Sequence, residues 1–264
     1  MESRNLVSIR LLALMGLRYT TNYLERFGFS PAQLPPGLSL ALGTASVTPI
    51  QMAQAFAVFA NGGKKVVPYI IDSIRNTQEQ TIYQARPLIA CTTNCNSQMA
   101  VAPQAISPQN AFLITSALHD VIQHGTAKLA KQLNRTDIAG KTGTTQNQVD
   151  AWFVGFNPTI VTISWMGFDQ PQSLHEYGSQ AALPMWIQFM QTALKDSPVL
   201  SFEQPSGIVN VRIDPMTGKR ALANDPLAMF EYFMVPYVPE LDPISETEHS
   251  ANAQNTNEKS DELY

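Results

Sequence analysis

Between residues 138 and 167 the chain carries three runs rich in β-branched and aromatic residues, at 138–145, 151–156 and 160–167. Only short Asn/Gln and Asn157-Pro158 turns separate them, which is the pattern of an antiparallel meander. Strands this close in sequence leave no room for crossover helices between them. The helices must therefore come before and after the sheet.

They do. Residues 6–17 form an apolar run that fits a buried helix, with Gly16 near its end. A second helical stretch at 21–27 closes at Gly28, and Pro31, Pro35 and Pro36 mark a loop. Thr48 then stands as an N-cap, Pro49 at the first helical position and Gln51 at the third, opening a helix that Asn61-Gly62-Gly63 ends. Residues 66–74 and 81–83 read as paired strands around a polar turn. Ser107-Pro108 opens another helix, with apolar positions at Ala111, Phe112, Ile114, Leu118 and Ile122. Residues 127–133 suit a short further helix, and 183–194 return to helical spacing after the meander. Helices segregated from an antiparallel sheet make the expected class α+β. Beyond Ser197-Pro198 the chain is punctuated by prolines, with one good turn at 214–218.

Charge excludes some functions. The formal net charge is −4, and no basic patch argues for nucleic acid. Much of the negative charge sits in the tail, where Asp242, Glu246, Glu248, Glu258, Asp261 and Glu262 face only Lys259. Residues 241–264 are expected to be a disordered acidic tail. Cys91 and Cys95, with no histidine near, are a poor zinc pair. They fit a small loop-closing disulfide in an oxidising compartment or two free thiols. No metal and no cofactor are expected.

The chemistry-bearing segment is Gly140-Lys141-Thr142-Gly143-Thr144-Thr145. A strand of this composition offers an edge on which an extended ligand can pair as an added strand. Gly143 allows close backbone approach, Lys141 supplies positive charge, and the Thr142 and Thr144 hydroxyls can donate to a carboxylate. A solvated turn would also account for the triplet alone. A phosphate loop would not, because the earlier glycine it requires falls at Arg135.

Context decides between these readings. Ser3-Arg4-Asn5 opens the first helix, and Leu42-Gly43-Thr44 runs through Val47-Thr48-Pro49 to Asn61-Gly62-Gly63. Gly125-Thr126-Ala127 precedes Ala139-Gly140-Lys141-Thr142-Gly143-Thr144-Thr145, and Asp150-Ala151-Trp152-Phe153-Val154-Gly155-Phe156 follows. In this order the segments resemble the penicillin-binding proteins, and within them the bifunctional class A, 1A-like members. The resemblance covers residues 1–195 and weakly extends to 225. It implies a penicillin-binding transpeptidase fold, similar to serine β-lactamases and incomplete at the N-terminus, over residues 1–240.

The resemblance also implies an activity: cross-linking of peptidoglycan stem peptides through an acylated serine, with β-lactams as donor mimics. Mapped by motif, Ser3 resembles the proton-shuttle serine and Asn5 the residue that hydrogen-bonds the substrate amide. Lys141, Thr142, Gly143 and Thr144 resemble the carboxylate-binding strand, and the Thr144 N–H a second oxyanion donor. For Ser3 and Asn5, ordinary N-capping is the simpler role. Asp150 and Trp152 read as structural, and His119, His124 and His175 as surface or cap residues.

No serine in the chain has a lysine three residues on. In the family that Ser-x-x-Lys precedes Ser-x-Asn by some tens of residues. The expectation is a fragment, or a misassigned start, with nucleophile, glycosyltransferase domain and membrane anchor upstream, and a location at the periplasmic face of the inner membrane. Its partners would be stem peptides, β-lactams and cell-wall synthesis proteins. The alternative is a non-catalytic module that binds D-Ala-D-Ala-like ligands or a partner protein. A β-lactamase is disfavoured, since no loop between Asn5 and Lys141 carries a matching glutamate.

Overall fold

The computed structural model describes residues 4–91, 95, 100–222 and 225–241. The expected acidic tail lies outside these residues apart from Leu241, and so does Ser3. The chain divides into two compact units, Met1–Glu203 and Gln204–Tyr264.

The first unit opens with α1 (Asn5–Met15) and α2 (Leu17–Leu24), joined at Gly16. Arg4 holds the N-cap position and Asn5 is the first helical residue, so Asn5 does not cap this helix. The burial expected for α1 is not observed. Only Leu12 is buried, while Leu6 is 66% and Leu14 84% exposed. The helix has apolar residues on every side and its interior polar ones, Ser8 and Arg10, on different faces, so its sequence cannot say which face is covered. Its neighbours, α2 and the 3-10 turn Leu38–Leu42, cover one side.

Local chemistry sets the next helix as expected. In α3 (Pro49–Ala60) the Thr48 hydroxyl accepts from Gln51 N (3.3 Å), and Thr48 N donates back to Gln51 Oε1 (2.9 Å). This reciprocal box satisfies two donors that a helix start otherwise leaves unpaired. The following hairpin is shorter than its sequence suggests: β1 (Ser73–Arg75) pairs with β2 (Thr81–Gln84). Residues 66–72 stay out of the ladder, where Pro68 has no N–H to give. Cys91 and Cys95 form a disulfide, the loop-closing alternative of the two.

In α4 (Pro108–Gln123) the Ser107 hydroxyl accepts from Asn110 N (3.2 Å). The meander follows as read: β3 (Ala139–Thr144), β4 (Ala151–Phe156) and β5 (Val161–Met166), antiparallel and in that order. α5 (Ala182–Ala193) closes the unit's core. Ala151 and Phe153 of β4 pack with Val121 and Ile122 of α4 and Leu183, Trp186, Ile187 and Met190 of α5. Burial of each large side chain there contributes about 1.5–3 kcal/mol. Trp186 stacks edge-on against Phe153 and lies on Gly155, where an added Cβ would come within 2.5 Å of the indole.

A second cluster joins Phe27, Ala55, Val58, Ala105, Ile106 and Ala111. Phe56 of α3 meets Phe156 of β4 edge-on, so α3 lies against the sheet face opposite α5. This is the α+β arrangement the pattern implied. The second unit is a hairpin of β6 (Ile208–Ile213) and β7 (Met229–Met234), antiparallel throughout. The turn read at 214–218 is present, Gly218 N donating to Asp214 O (2.8 Å). Neither strand was read from the sequence: β7 lacks a clean period-2 pattern, and the alternation of Val209-Asn210-Val211-Arg212-Ile213 in β6 is short and set in a proline-punctuated stretch. Among the described residues no helix is long and apolar enough to cross a membrane.

Candidate active site

β3 is an edge strand of the meander, and its residues line a cleft of about 740 Å³ in the first unit. Lys141, Thr142, Gly143, Thr144 and Thr145 form one wall. The apolar floor includes Leu24, Phe29, Leu40 and Met52, and the aromatic end is Trp152 with Trp165. These two indoles face each other across the β4–β5 pair, with ring centroids 5.9 Å apart. Concave, mostly apolar, with a few convergent polar groups, the cleft has the make-up of a ligand site.

Register explains how the strand presents its side chains. Lys141 pairs with Val154 and Gly143 with Trp152, so these four share the cleft face of the sheet. Thr142 and Thr144 pair with Phe153 and Ala151 and lie on the other face, at the open edge. Their hydroxyls are held there from behind. Thr126, just beyond α4, places its Oγ1 2.7 Å from Thr142 Oγ1, and Gly178 N donates to Thr144 Oγ1 (3.0 Å).

Lys141 is half-buried, and its ammonium donates to the Thr142 carbonyl (2.8 Å). Among the described residues no carboxylate forms an ion pair with it. Burial therefore pushes its pKa below the ordinary lysine value. The acid in the cleft wall, Asp150, is already engaged: its Oδ1 accepts from Trp165 Nε1 (3.0 Å) and its backbone N–H donates to Thr145 Oγ1 (2.8 Å). Asp150 thus ties the β3–β4 turn to β5.

Of the residues singled out from sequence, the fold brings Lys141, Thr142, Gly143 and Thr144 to one cleft wall. Asn5 sits exposed on the first turn of α1 and does not line the cleft. Ser3 lies outside the described residues. His124 caps the C-terminus of α4, and His119 Nδ1 lies 2.9 Å from the Ile138 carbonyl at the root of β3. Sequence reasoning did not assign Trp152 or Trp165 to the cleft, nor Thr126 and Gly178 to the threonines. Thr126 lay within a quoted motif; the contact of Gly178 is tertiary and leaves no local signal.

A family model described as "Penicillin binding protein transpeptidase domain" matches residues 1–191. The chain is 41% identical over 285 residues to penicillin-binding protein 1A of Pseudomonas aeruginosa, covering 92% of this chain and 35% of that protein. It therefore spans about a third of the length of that curated relative. Its fold is similar to the crystal structure of penicillin-binding protein 1A from Haemophilus influenzae, with a TM-score of 0.83 and 36% identity over 90% of this chain and 39% of that one. It is also similar to the PonA1 protein from Mycobacterium tuberculosis, solved in complex with penicillin V. There the TM-score is 0.52 and the identity 26%, over 65% of this chain and 45% of that one.

Proposed function

We propose, since this chain belongs to the penicillin-binding protein transpeptidase family, that it forms the substrate-strand half of a serine DD-transpeptidase active site in cell-wall synthesis. The observation that carries this reading is the edge strand β3, with a desolvated, uncompensated Lys141 in the wall of an apolar cleft. Such a site suits a ligand that is extended, amide-bearing and terminated by a carboxylate. A stem peptide ending in D-Ala-D-Ala has these features, and so does a β-lactam. The complex of PonA1 with penicillin V supports the same ligand class.

In the proposed reaction a serine from a Ser-x-x-Lys segment attacks the carbonyl carbon of the penultimate D-Ala. The amide C–N bond breaks, and the terminal D-Ala leaves with a proton delivered to its amine. An acceptor amine then attacks the resulting ester: its nitrogen bonds to the acyl carbon, the acyl C–O bond to serine breaks, and a proton from the amine returns to the serine oxygen. Lys141 and the Thr142 and Thr144 hydroxyls hold the terminal carboxylate, and Gly143 lets the donor backbone approach β3. The Thr144 N–H is the second oxyanion donor. Ser3 moves the proton between nucleophile and leaving group. The whole protein is a bifunctional glycosyltransferase and transpeptidase, anchored at the periplasmic face of the inner membrane. Residues 1–240 are the C-terminal part of its transpeptidase domain, and 241–264 an acidic tail.

Because no serine in the 264 residues has a lysine three positions on, the nucleophile comes from outside them. The chain by itself is expected to form no covalent adduct with a fluorescent penicillin. A polypeptide that joins it to its Ser-x-x-Lys segment is expected to be labelled. A stable labelled band from the chain alone on a denaturing gel would refute the division of labour. No label on the joined polypeptide would favour the non-catalytic binding module instead.

A further inference from the structure

Behind β3 the backbone of residues 177–183 makes a contact that the reaction itself does not explain. The Gly178 N–H donates to Thr144 Oγ1 (3.0 Å). The Gly178 carbonyl accepts from the N–H groups of Ala182 (3.2 Å) and Leu183 (2.9 Å), at the first turn of α5. That helix is fixed in the core by Leu183, Trp186, Ile187 and Met190. Gly178 is itself buried, and a Cβ there would fall on the Gly143 carbonyl oxygen and within 2.5 Å of the Trp152 carbonyl oxygen. Only a residue without a side chain can lie so close to the β3–β4 pair. A second bond, Leu174 N to Gln148 O (2.8 Å), holds the preceding part of the same loop to the β3–β4 turn.

We infer that Gly178 is a positioning residue that sets the hydroxyl of Thr144 for a ligand carboxylate. A threonine hydroxyl has one proton to donate and two lone pairs to accept with. The Gly178 N–H occupies a lone pair and fixes the oxygen, which leaves the proton free to donate. Because α5 holds Gly178, the rotor is fixed before a ligand arrives and its ordering cost is already met. The exposed Thr144 side chain would otherwise sample several rotamers. This inference rests on the reading of β3 as the carboxylate-binding strand, and concerns how that strand discriminates.

The test compares acylation by a penicillin with acylation by its methyl ester, in the polypeptide that joins this chain to its Ser-x-x-Lys segment. Gly178→Ala is expected to reduce the preference for the free acid by about tenfold, the scale of one charge-assisted hydrogen bond. Thr144→Val should lose the same preference, and adding Gly178→Ala to it should cost no more. A merely structural glycine would slow both ligands equally, and that result overturns the inference. If wild type shows no preference for the acid, the carboxylate reading of β3 fails. If Thr144→Val loses the preference and Gly178→Ala keeps it, only the role of Gly178 fails. Should Gly178→Ala not fold, amide exchange in the near-isosteric Thr144→Val decides. The Gly178 N–H is expected to lose protection while Leu174 N–H keeps it; unchanged protection at Gly178 refutes the contact.

Discussion

Lys141→Ala is expected to slow acylation by a β-lactam by about 10²-fold or more, the loss that follows removal of one preorganised oxyanion-type contact. The assay is the second-order acylation rate of the joined polypeptide, and an unchanged rate removes the assigned role. The size of the effect follows from the surroundings of the ammonium. It is half-buried, donates to a neighbouring carbonyl at 2.8 Å, and has no carboxylate partner among the described residues. A charge held this way has lost part of its hydration and has not been compensated, so an incoming carboxylate meets a group ready for it. Lys141→Met, which keeps the length of the stem, should lose nearly as much as Lys141→Ala. If Met restored the rate, packing rather than charge would be the contribution of Lys141. Arginine is no conservative substitute, since its planar fork does not fit the place of a compact ammonium.

The same burial predicts a pH dependence with a definite sign. Desolvation lowers the Lys141 pKa below the ordinary lysine value. Carboxylate binding favours the charged form, so recognition of the free acid weakens as pH rises through the lowered value. The descending limb of the acylation profile should therefore begin at lower pH than for a free lysine. It should vanish with the methyl ester and in Lys141→Met. For folding, the cost of burying the charged form is fully present below the lowered value. It is relieved as pH rises from there to the unfolded lysine value. A limb that persists in Lys141→Met would assign the titration to another group.

How much of this was legible depended on whether the cause was local. The boundaries of α3 follow from Thr48, Pro49 and Gln51, each acting within one turn of its own position. The meander was equally plain, since strand residues alternate between Trp152 in the cleft face and Phe153 in the core. Where a partner remote in sequence decides the outcome, the reading stopped short. Residues 66–72 have strand composition but no ladder. The apolar run of α1 carries no sign that Leu12 alone would be covered. Trp152 and Trp165 become a cleft wall only when β4 and β5 pair. Gly178 stands among polar loop residues, and its value lies in contacts with Thr144, far back along the chain. The triplet Lys141-Thr142-Gly143 gained meaning from neighbouring motifs and from the edge position of its strand.

The strand that presents Lys141 is rooted in a buried ion pair, and Asp137→Asn is expected to destabilise the chain by about 3–5 kcal/mol, as breaking one side of such a pair does. Asp137 is 1% exposed and stands just before Ala139, where β3 begins. Its Oδ1 accepts from Arg135 Nε (2.9 Å), and its Oδ2 from the Arg135 guanidinium (2.7 Å) and from Leu200 N (3.0 Å). Arg135 also donates to the carbonyls of Ser197 (2.9 Å) and Pro198 (2.7 Å). One fork thereby fixes the segment after α5 to the root of β3. Burial alone would raise the Asp137 pKa, but the Arg135 bonds and the Leu200 N–H outweigh it and hold it below the usual carboxylate value. A carboxylate with a depressed pKa contributes stability above its unfolded value. That stability is lost as pH falls from about 4 through the lower folded value. Urea unfolding of wild type should therefore weaken on the acid side, and Asp137→Asn should flatten that decline while lying lower at neutral pH. Replacing both partners by apolar residues of similar volume should cost less than Asp137→Asn alone, because no charge is left stranded. A shift below about 1 kcal/mol at neutral pH, the scale of an exposed pair, would show that the fork does not anchor β3.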